Sequence, residues 1–370
     1  MNGKDCEDRE GTLFNFDEPK ISRRKMLGAI ALAAGTICTG PLGVKAAMAD
    51  TAKEEQPAKT LVPNPKGKDY KFAASLGWTE YDSGGKVRQG YMDAVKELGG
   101  QLTIADANFD PKKQSDQIDD IISSKPDALF ITPEDAVAIS PAISRAIAAK
   151  IPVFAGDSMA PGVPVITTCM SSNFGMGYLT ADYIADKLKG KGNVGLVTLP
   201  VNESWDQRAL GMEYAFHQYP GIKKVAEWKY NPLRKQTPRQ GVDDMLTAHK
   251  DIDAIWCAWD GGAIEGSLAV LAAGLKNVFL TGIDGGKQAF SYIDSGSPFE
   301  LTCAQSFYQM AYLDVYYAHE FLAGRQTPRL VITPTYIVTK ESLHGLGEKA
   351  ADFDRPGPYD AKALGWHRVL

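Results

Sequence analysis

Past its first fifty residues this 370-residue sequence has no apolar run long enough to span a bilayer, and it carries only three cysteines there, Cys169, Cys257 and Cys303. Three scattered cysteines are too few for a disulfide framework or a thiolate metal site, and an odd number leaves at least one free thiol. Buried, unreactive cysteine is the expectation for all three. The histidines, His217, His249, His319, His344 and His367, form no ligand-spaced pair. No G-x-S-x-G, C-x-x-C, Walker A or G-x-G-x-x-G stands where a nucleophile elbow, a redox motif or a phosphate loop would need it. No cofactor is therefore expected, and a catalytic role would have to rest on Asp157, Asp260 and Asp284 holding a hard cation. The formal net charge of −5, with no basic cluster beyond the N-terminal region, gives no nucleic-acid surface.

What is present begins with "ISRRKMLGAIALAAG", residues 21 to 35. Ser22-Arg23-Arg24 precede an uncharged apolar segment from Met26 to Val44, and Ala47-Met48-Ala49 supplies a small-residue cleavage site before Asp50. A charged, an apolar and a cleavable region in that order make a signal peptide over 1–49, and the paired arginines resemble the twin-arginine export signal. A retained membrane helix fits less well, because the segment is of minimal spanning length and rich in Gly and Ala. A lipoprotein through Cys38 fits less well again, since Ile37 precedes it. Cleavage after Ala49 would place the chain in the periplasm, with two lobes expected because the remainder exceeds what one core usually organises. Residues 50–68 are polar and proline-bearing and read as a flexible leader.

From Tyr70 onward, apolar runs of strand length alternate with amphipathic segments. "KFAASLGW" leads to a helix with Val87, Tyr91, Val95 and Leu98 on one face, stopped at Gly99-Gly100; "QLTIADA" leads to a helix capped by Asp110 and Pro111, with Ile118, Ile121 and Ile122 as its stripe. "DALFIT" and "IPVFAGDS" continue a pattern that marks a parallel sheet covered by helices. From Gly175 the alternation repeats through "NVGLVTL", "KKVAEWKY", "DAIWCAWD", "NVFLTGIDGG" and "FELTCAQ". "KPDALFITPEDA" parallels "DIDAIWCAWDGGA", and "IPVFAGDS" parallels "NVFLTGIDGG", so two lobes of one doubly wound α/β design are expected. A long helix over 306–323, a last strand "LVITPTYIVTK" and a loose tail from about Gly345 complete the reading.

In open parallel sheets ligands bind beyond the carboxyl ends of strands. Polar and aromatic residues gather there: Trp78 and Tyr81, Asp157 and Ser158, Trp205 and Arg208, Trp259 and Asp260, Asp284 and Gln305. Carboxylates, an amide, an arginine fork and flat rings suit a small neutral polyol, whose hydroxyls donate to carboxylates and accept from arginine while its C–H faces lie on rings. A lone strand-end aspartate is more often a cap, and Trp228 and Trp256, in mid-strand, read as core.

Taken together at their spacing, "IPVFAGDS", "SSNFGMG", "WDQRALGM", "TAHKDIDAIWCAWD", "GIDGG" and "TCAQ" resemble the ribose-binding branch of the type I periplasmic binding proteins, over about Lys71 to Lys340. The resemblance implies two lobes joined by three crossover strands, with a sugar in the cleft. It implies an N-terminal lobe of 69–172 plus 306–334, a C-terminal lobe of 173–305 plus 335–345, and a tail over 346–370. It carries sugar contacts to Asp157, Arg208, Asp284 and Gln305, with Asn173 beside the first crossover. Ser158 and Trp259 depart from the arginine and asparagine usual in ribose receptors, and Trp78 and Tyr81 replace a paired phenylalanine. The implied role is a monomeric, non-enzymatic receptor delivering a monosaccharide or sugar alcohol to an ABC permease and its ATPase. The same cleft could serve a membrane sensor of a sugar or autoinducer. A repressor with this core would carry a DNA-binding headpiece where this chain has its export signal.

Changing Arg23 and Arg24 together to lysine is expected to block export, read by cell fractionation; unchanged periplasmic protein would remove the twin-arginine reading.

Overall fold

The computed structural model describes residues 69–199, 203–231 and 236–370. The signal peptide with Arg23, Arg24 and the cleavage site at Ala49, and the leader over 50–68, lie outside the described residues. Among the described residues no helix is long and apolar enough to cross a membrane.

The first half runs β1 (Lys71–Leu76), α1 (Tyr81–Leu98), β2 (Gln101–Asp106), α2 (Pro111–Ser124), β3 (Ala128–Thr132), α3 (Ala136–Ala148), β4 (Val153–Gly156) and β5 (Thr168–Met170). The second runs α4 (Asn173–Lys187), β6 (Lys191–Thr198), α5 (Glu203–His217), β7 (Gly221–Lys229), α6 (Pro238–Ala248), β8 (Ala254–Cys257), α7 (Asp260–Ala272), β9 (Phe279–Asp284), α8 (Lys287–Asp294) and β10 (Phe299–Gln305). The chain closes with α9 (Phe307–Leu322), β11 (Leu330–Ile332), β12 (Thr335–Thr339) and α10 (Lys340–Leu343).

Local signals account for many of these boundaries. Asp110 accepts from the backbone N–H groups of Lys112 and Lys113 and is followed by Pro111, so α2 starts on a capped, proline-fixed first turn. Asp135 caps α3 in the same way, and Thr237 with Gln240 forms a reciprocal capping box on α6. Strand β3 is buried at every residue, as a central parallel strand must be. Its alternate side chains feed two cores: Phe130 packs with Phe72, Phe154 and Met310 on one face, Leu129 and Ile131 with Ile118 and Ile143 on the other.

The sheets have the same winding. The first is ordered β11-β5-β4-β3-β1-β2 and the second β12-β10-β9-β8-β6-β7. The pairings are parallel except β12, which runs antiparallel to β10. Equivalent details recur: Asp127 accepts from Lys71 N at 2.8 Å just before β3, and Asp253 accepts from Asn193 N at 2.8 Å just before β8. The fold is thus two doubly wound α/β lobes, with switch points between β1 and β3 and between β6 and β8.

The chain crosses between lobes three times, after β5, after β10 and between β11 and β12. The expected single strand "LVITPTYIVTK" is therefore two strands in two sheets, parted at Thr333-Pro334, where the proline has no N–H to continue a ladder. The crossings bond to one another: Thr333 N donates to Met170 O at 2.9 Å, Ser171 and Thr333 hydroxyls lie 3.1 Å apart, and Ser306 Oγ donates to Pro334 O at 2.8 Å. The three cysteines are free and buried.

The tail is not loose. A 3-10 turn over Gly347–Asp352 leads to Phe353, 2 % exposed, whose ring lies 5.5 to 6.0 Å from Trp366, Tyr336 and Phe290. The aromatic residues of the tail supply the apolar area that holds it against α8 and β12. Asp354 then reaches the first lobe, accepting from Tyr308 N at 3.0 Å and pairing with Lys86 at 3.2 Å. Phe353→Ala is expected to lower unfolding stability by about 3 kcal/mol in urea titrations; a loss under about 1 kcal/mol would mean the tail contributes little to the core.

Candidate functional site

Eight strands end at one cleft and deliver side chains to it. Trp78 follows β1, Phe109 follows β2, Glu134 follows β3 and Asp157 follows β4; Leu199 and Trp205 follow β6, Tyr230 follows β7, Trp259 and Asp260 follow β8, and Asp284 ends β9. With Tyr81 from α1 and Arg208 from α5 they enclose a volume of about 70 Å³. That is room for on the order of five waters.

Arg208 is the organiser of the polar part. It is 1 % exposed, and each edge of its fork is taken: Nε donates to Asn173 Oδ1 at 3.0 Å, one terminal nitrogen to Ala258 O at 2.7 Å, and the other pairs with Asp284 Oδ1 at 3.1 Å. Helix α5 can place it there because α4 and α5 touch backbone to backbone. A Cβ on Gly177 would lie 1.9 Å from Arg208 O, and one on Gly211 1.9 Å from Phe174 O, so neither position admits a larger residue without parting the helices.

The carboxylates are held individually. Gln305 Nε2 donates to Asp284 Oδ1 at 2.8 Å. Asp260 accepts from Gly285 N and from Thr302 Oγ1, both at 2.7 Å. Ser204 Oγ lies 3.1 Å from Asp157 Oδ2, while Asp157 Oδ1 is buried with no hydrogen-bond partner among the described residues. Glu134 is placed by Gln114, a buried amide that accepts from Glu134 N at 3.0 Å and donates to Ser75 O and Thr132 O. Burial pushes all of these acids up. Glu134 rises to about 7 through burial, then the nearby Asp135 and Asp157 charges; Asp157 rises by burial against the pull of Arg208. Asp260 is raised by burial and by Asp284, and Asp284 by burial against Arg208.

Aromatic rings form the remaining walls. Trp205 and Trp259 stack at 4.5 Å, Tyr230 stacks on Trp259 at 5.2 Å, and across the cleft Trp78 lies parallel to Phe109 at 6.5 Å. Tyr81, Phe109, Asp157 and Asp284 all adopt positive φ, at 61°, 60°, 66° and 140°. Such backbone costs on the order of 1 kcal/mol or more per residue and persists where surrounding contacts impose it, commonly at ligand sites.

Eight of the eleven residues expected from the sequence, Trp78, Tyr81, Asp157, Trp205, Arg208, Trp259, Asp260 and Asp284, line the cavity. Ser158, Asn173 and Gln305 do not; they stand behind it. Ser158 Oγ crosses the cleft to Glu203 at 3.0 Å and Ser204 at 3.1 Å, Asn173 orients Arg208, and Gln305 orients Asp284. Phe109, Glu134 and Tyr230 were not expected, although each follows a strand end and so obeys the rule that found the others. Trp256 is core, fully buried with its Nε1 donating to Thr180, and Trp228 is half-buried behind Tyr230. The lobes touch again through Gln288 N, which donates to Asp82 at 3.0 Å, and through the Tyr81 and Tyr230 hydroxyls.

The chain belongs to the periplasmic binding protein domain family, whose model matches residues 73–326. It is similar to the ribose import binding protein of Bacillus subtilis (strain 168), with 28 % identity over 301 residues covering 79 % of this chain and 95 % of the relative. It is also similar to a xylitol-binding protein of Mycolicibacterium smegmatis, with 25 % identity over 225 residues covering 60 % and 64 %. Among solved structures it resembles an ABC transporter periplasmic solute binding protein from Actinobacillus succinogenes 130z with bound D-allose, at TM-score 0.67, 27 % identity and coverage of 74 % and 99 %. An ABC sugar transporter subunit from Rhodobacter sphaeroides 2.4.1 matches at TM-score 0.69 and 27 % identity, covering 73 % and 98 %.

The raised carboxyl groups fix a pH dependence. Between the ordinary carboxylate range near 4 and the value of about 7 reached by Glu134 and by buried Asp314, the native state keeps protons that the unfolded chain has lost. Native proton uptake exceeds unfolded uptake there, so stability falls as pH rises through that window. Urea midpoints of the unliganded protein are expected to be lower at about pH 7 than at about pH 5. A midpoint that rises instead would mean these acids are ionised in the native state, and Glu134→Gln should flatten part of the slope.

Proposed function

We propose that this chain is the substrate-binding protein of an ABC-type importer, closing over a monosaccharide or sugar alcohol and delivering it to a membrane permease driven by its ATPase. The observation that carries the reading is the Arg208–Asp284 pair of the second lobe facing Asp157 of the first across an aromatic-walled cavity. A ligand with hydroxyls on both sides contacts both lobes, and only such a ligand favours the closed arrangement over the open one. The names of the relatives, ribose import, xylitol binding and a D-allose complex, point to the same ligand class.

Export through the twin-arginine machinery and action in the periplasm as a monomer complete the proposal, resting on Arg23-Arg24 and the apolar segment that follows. The lobes then fold before export, which suits a chain whose buried thiols form no disulfide. A metal-dependent enzyme is disfavoured by how the acids are used: both oxygens of Asp260 and one of Asp284 already accept hydrogen bonds from the protein. No turnover is proposed.

A thermal-shift screen across pentoses, hexoses, deoxy sugars and alditols tests the reading, since a ligand at a hundred times its Kd stabilises by about 2.7 kcal/mol. Asp284→Ala and Arg208→Ala are each expected to weaken the binding of any hit by at least about tenfold, because each leaves a buried polar partner unsatisfied. Trp205→Ala, a change in the stacked aromatic wall, serves where an Arg208 variant folds poorly. Unchanged affinity across the three variants would move the site elsewhere.

A further inference from the structure

Helix α8 starts without a cap of its own. Its N-cap position is Gly286, which has no side chain to offer, whereas α2, α3 and α6 are capped by Asp110, Asp135 and Thr237 immediately before them. The missing acceptor comes from the other lobe. Asp82, in the first turn of α1, accepts at 3.0 Å from Gln288 N, the second amide of α8 and one that a local cap would take. One carboxylate thus stands at the starts of two helices, where the positive ends of both dipoles favour it.

The fit around this contact is built, not incidental. Gly286 is extended, at φ −171°, a conformation open to any residue, yet a Cβ there would lie 2.7 Å from Asp82 Cβ. The approach of α1, and not its own backbone, is what requires the glycine. The same end of α1 makes further contacts with the second lobe and the tail packed on it. The Tyr81 hydroxyl meets that of Tyr230, and Lys86, one turn after Asp82, pairs with Asp354 at 3.2 Å and lies 4.1 Å from the centre of the Phe353 ring. Phe353 belongs to the second-lobe core. Asp82 lines the cavity together with Gly286 and Gln288, so the cap forms part of the wall that closure completes.

Resting on the reading of the chain as a receptor whose lobes close over a polyol, we infer that Asp82 is a positioning residue for binding: it caps α8 from across the cleft and so latches the closed arrangement. Parting the lobes takes Asp82 away from α8 and leaves the first amides of that helix to water. The latch acts on the equilibrium between open and closed lobes, not on the identity of the ligand, and apparent affinity scales with the closed fraction. Asp82 therefore sets how tightly every ligand is held, and the residues around Arg208 set which one.

Single-molecule fluorescence transfer between dyes on one exposed residue of each lobe tests this without ligand, since the buried native thiols leave introduced cysteines to take the dyes. Asp82→Ala is expected to lower the ratio of closed to open molecules about fivefold, and Asp82→Asn, which can still cap, to restore most of it. Gly286→Ala, which pushes α1 away, should lower the ratio as well and serves where an Asp82 variant is unstable. An unchanged ratio, or a fall in urea stability alone, overturns the latch. Calorimetric titration with pentoses, hexoses and alditols adds the second arm. Asp82→Ala should weaken every compound that binds by the same factor, to within about twofold. A loss confined to some of them means that Asp82 touches the ligand, which overturns the latch and leaves the receptor standing. Binding of none by the unaltered protein overturns the polyol reading, and the fluorescence ratio still decides the latch.

Discussion

The buried guanidinium of Arg208 is the interaction on which the rest of the cleft depends. It ties the segment after the first crossover, through Asn173, to the end of β8, through Ala258 O, and to the end of β9, through Asp284. A buried ion pair of this kind adds little net stability, but removing one partner costs about 3–5 kcal/mol because the other is left charged and dry. The contact between α4 and α5 at Gly177 and Gly211 exists on the same terms: it brings the helix that carries Arg208 close enough for the fork to reach three separate strand ends. Take Arg208 away, and Asn173, Asp284 and, behind it, Gln305 lose the group that orients them.

Closure is governed by weaker forces. The second lobe has one apolar cluster, the first has two, and none of the three is shared between the lobes. What joins the lobes is polar: Ser158 to Glu203, Ser204 to Asp157, Asp82 to the start of α8, and Asp354 to the start of α9. Each bond to a carboxyl group of this sort contributes on the order of 1–3 kcal/mol, so opening breaks a handful of polar contacts and leaves every core intact. The three crossings, bonded to one another at Met170–Thr333 and Ser306–Pro334, bend as a set. A ligand that fills the polar centre of the cleft therefore decides between open and closed.

Much of this was legible in the sequence, for a physical reason. Parallel strands buried on both faces must be continuous apolar runs, and helix starts need side-chain caps, so "DALFIT", "DAIWCAWD" and Asp110-Pro111 carry their structure openly. Strand ends in open sheets are where ligands bind, and that rule alone reached Trp78, Asp157, Trp259 and Asp284. Two things were hidden. Position along the chain does not reveal which way a side chain turns, so Ser158, Asn173 and Gln305, in sequence next to lining residues, support them from behind. Glu134 and Tyr230 were passed over because one looked like a helix-opening turn and the other only closed the strand run "KKVAEWKY". The packing of the tail was also hidden, since Phe353 and Trp366 have no period, only a core to fill.

The internal repeat explains both the symmetry of the site and its break. Aligning Asp127 with Asp253 sets Glu134 against Asp260, each one turn past a buried strand, and the next strand end sets Asp157 against Asp284, both at positive φ. Two copies of one lobe thus bring four carboxyl groups to one cavity as a matter of architecture, and burial there raises the pKa of each. Arg208 comes from α5, and the corresponding first-lobe helix, α1, lines the cavity with Tyr81, Asp82 and Ser83 and brings no cation. The cleft therefore has a direction: Asp284 is paired with Arg208 of its own lobe, while Asp157 keeps one oxygen, Oδ1, with no hydrogen-bond partner among the described residues.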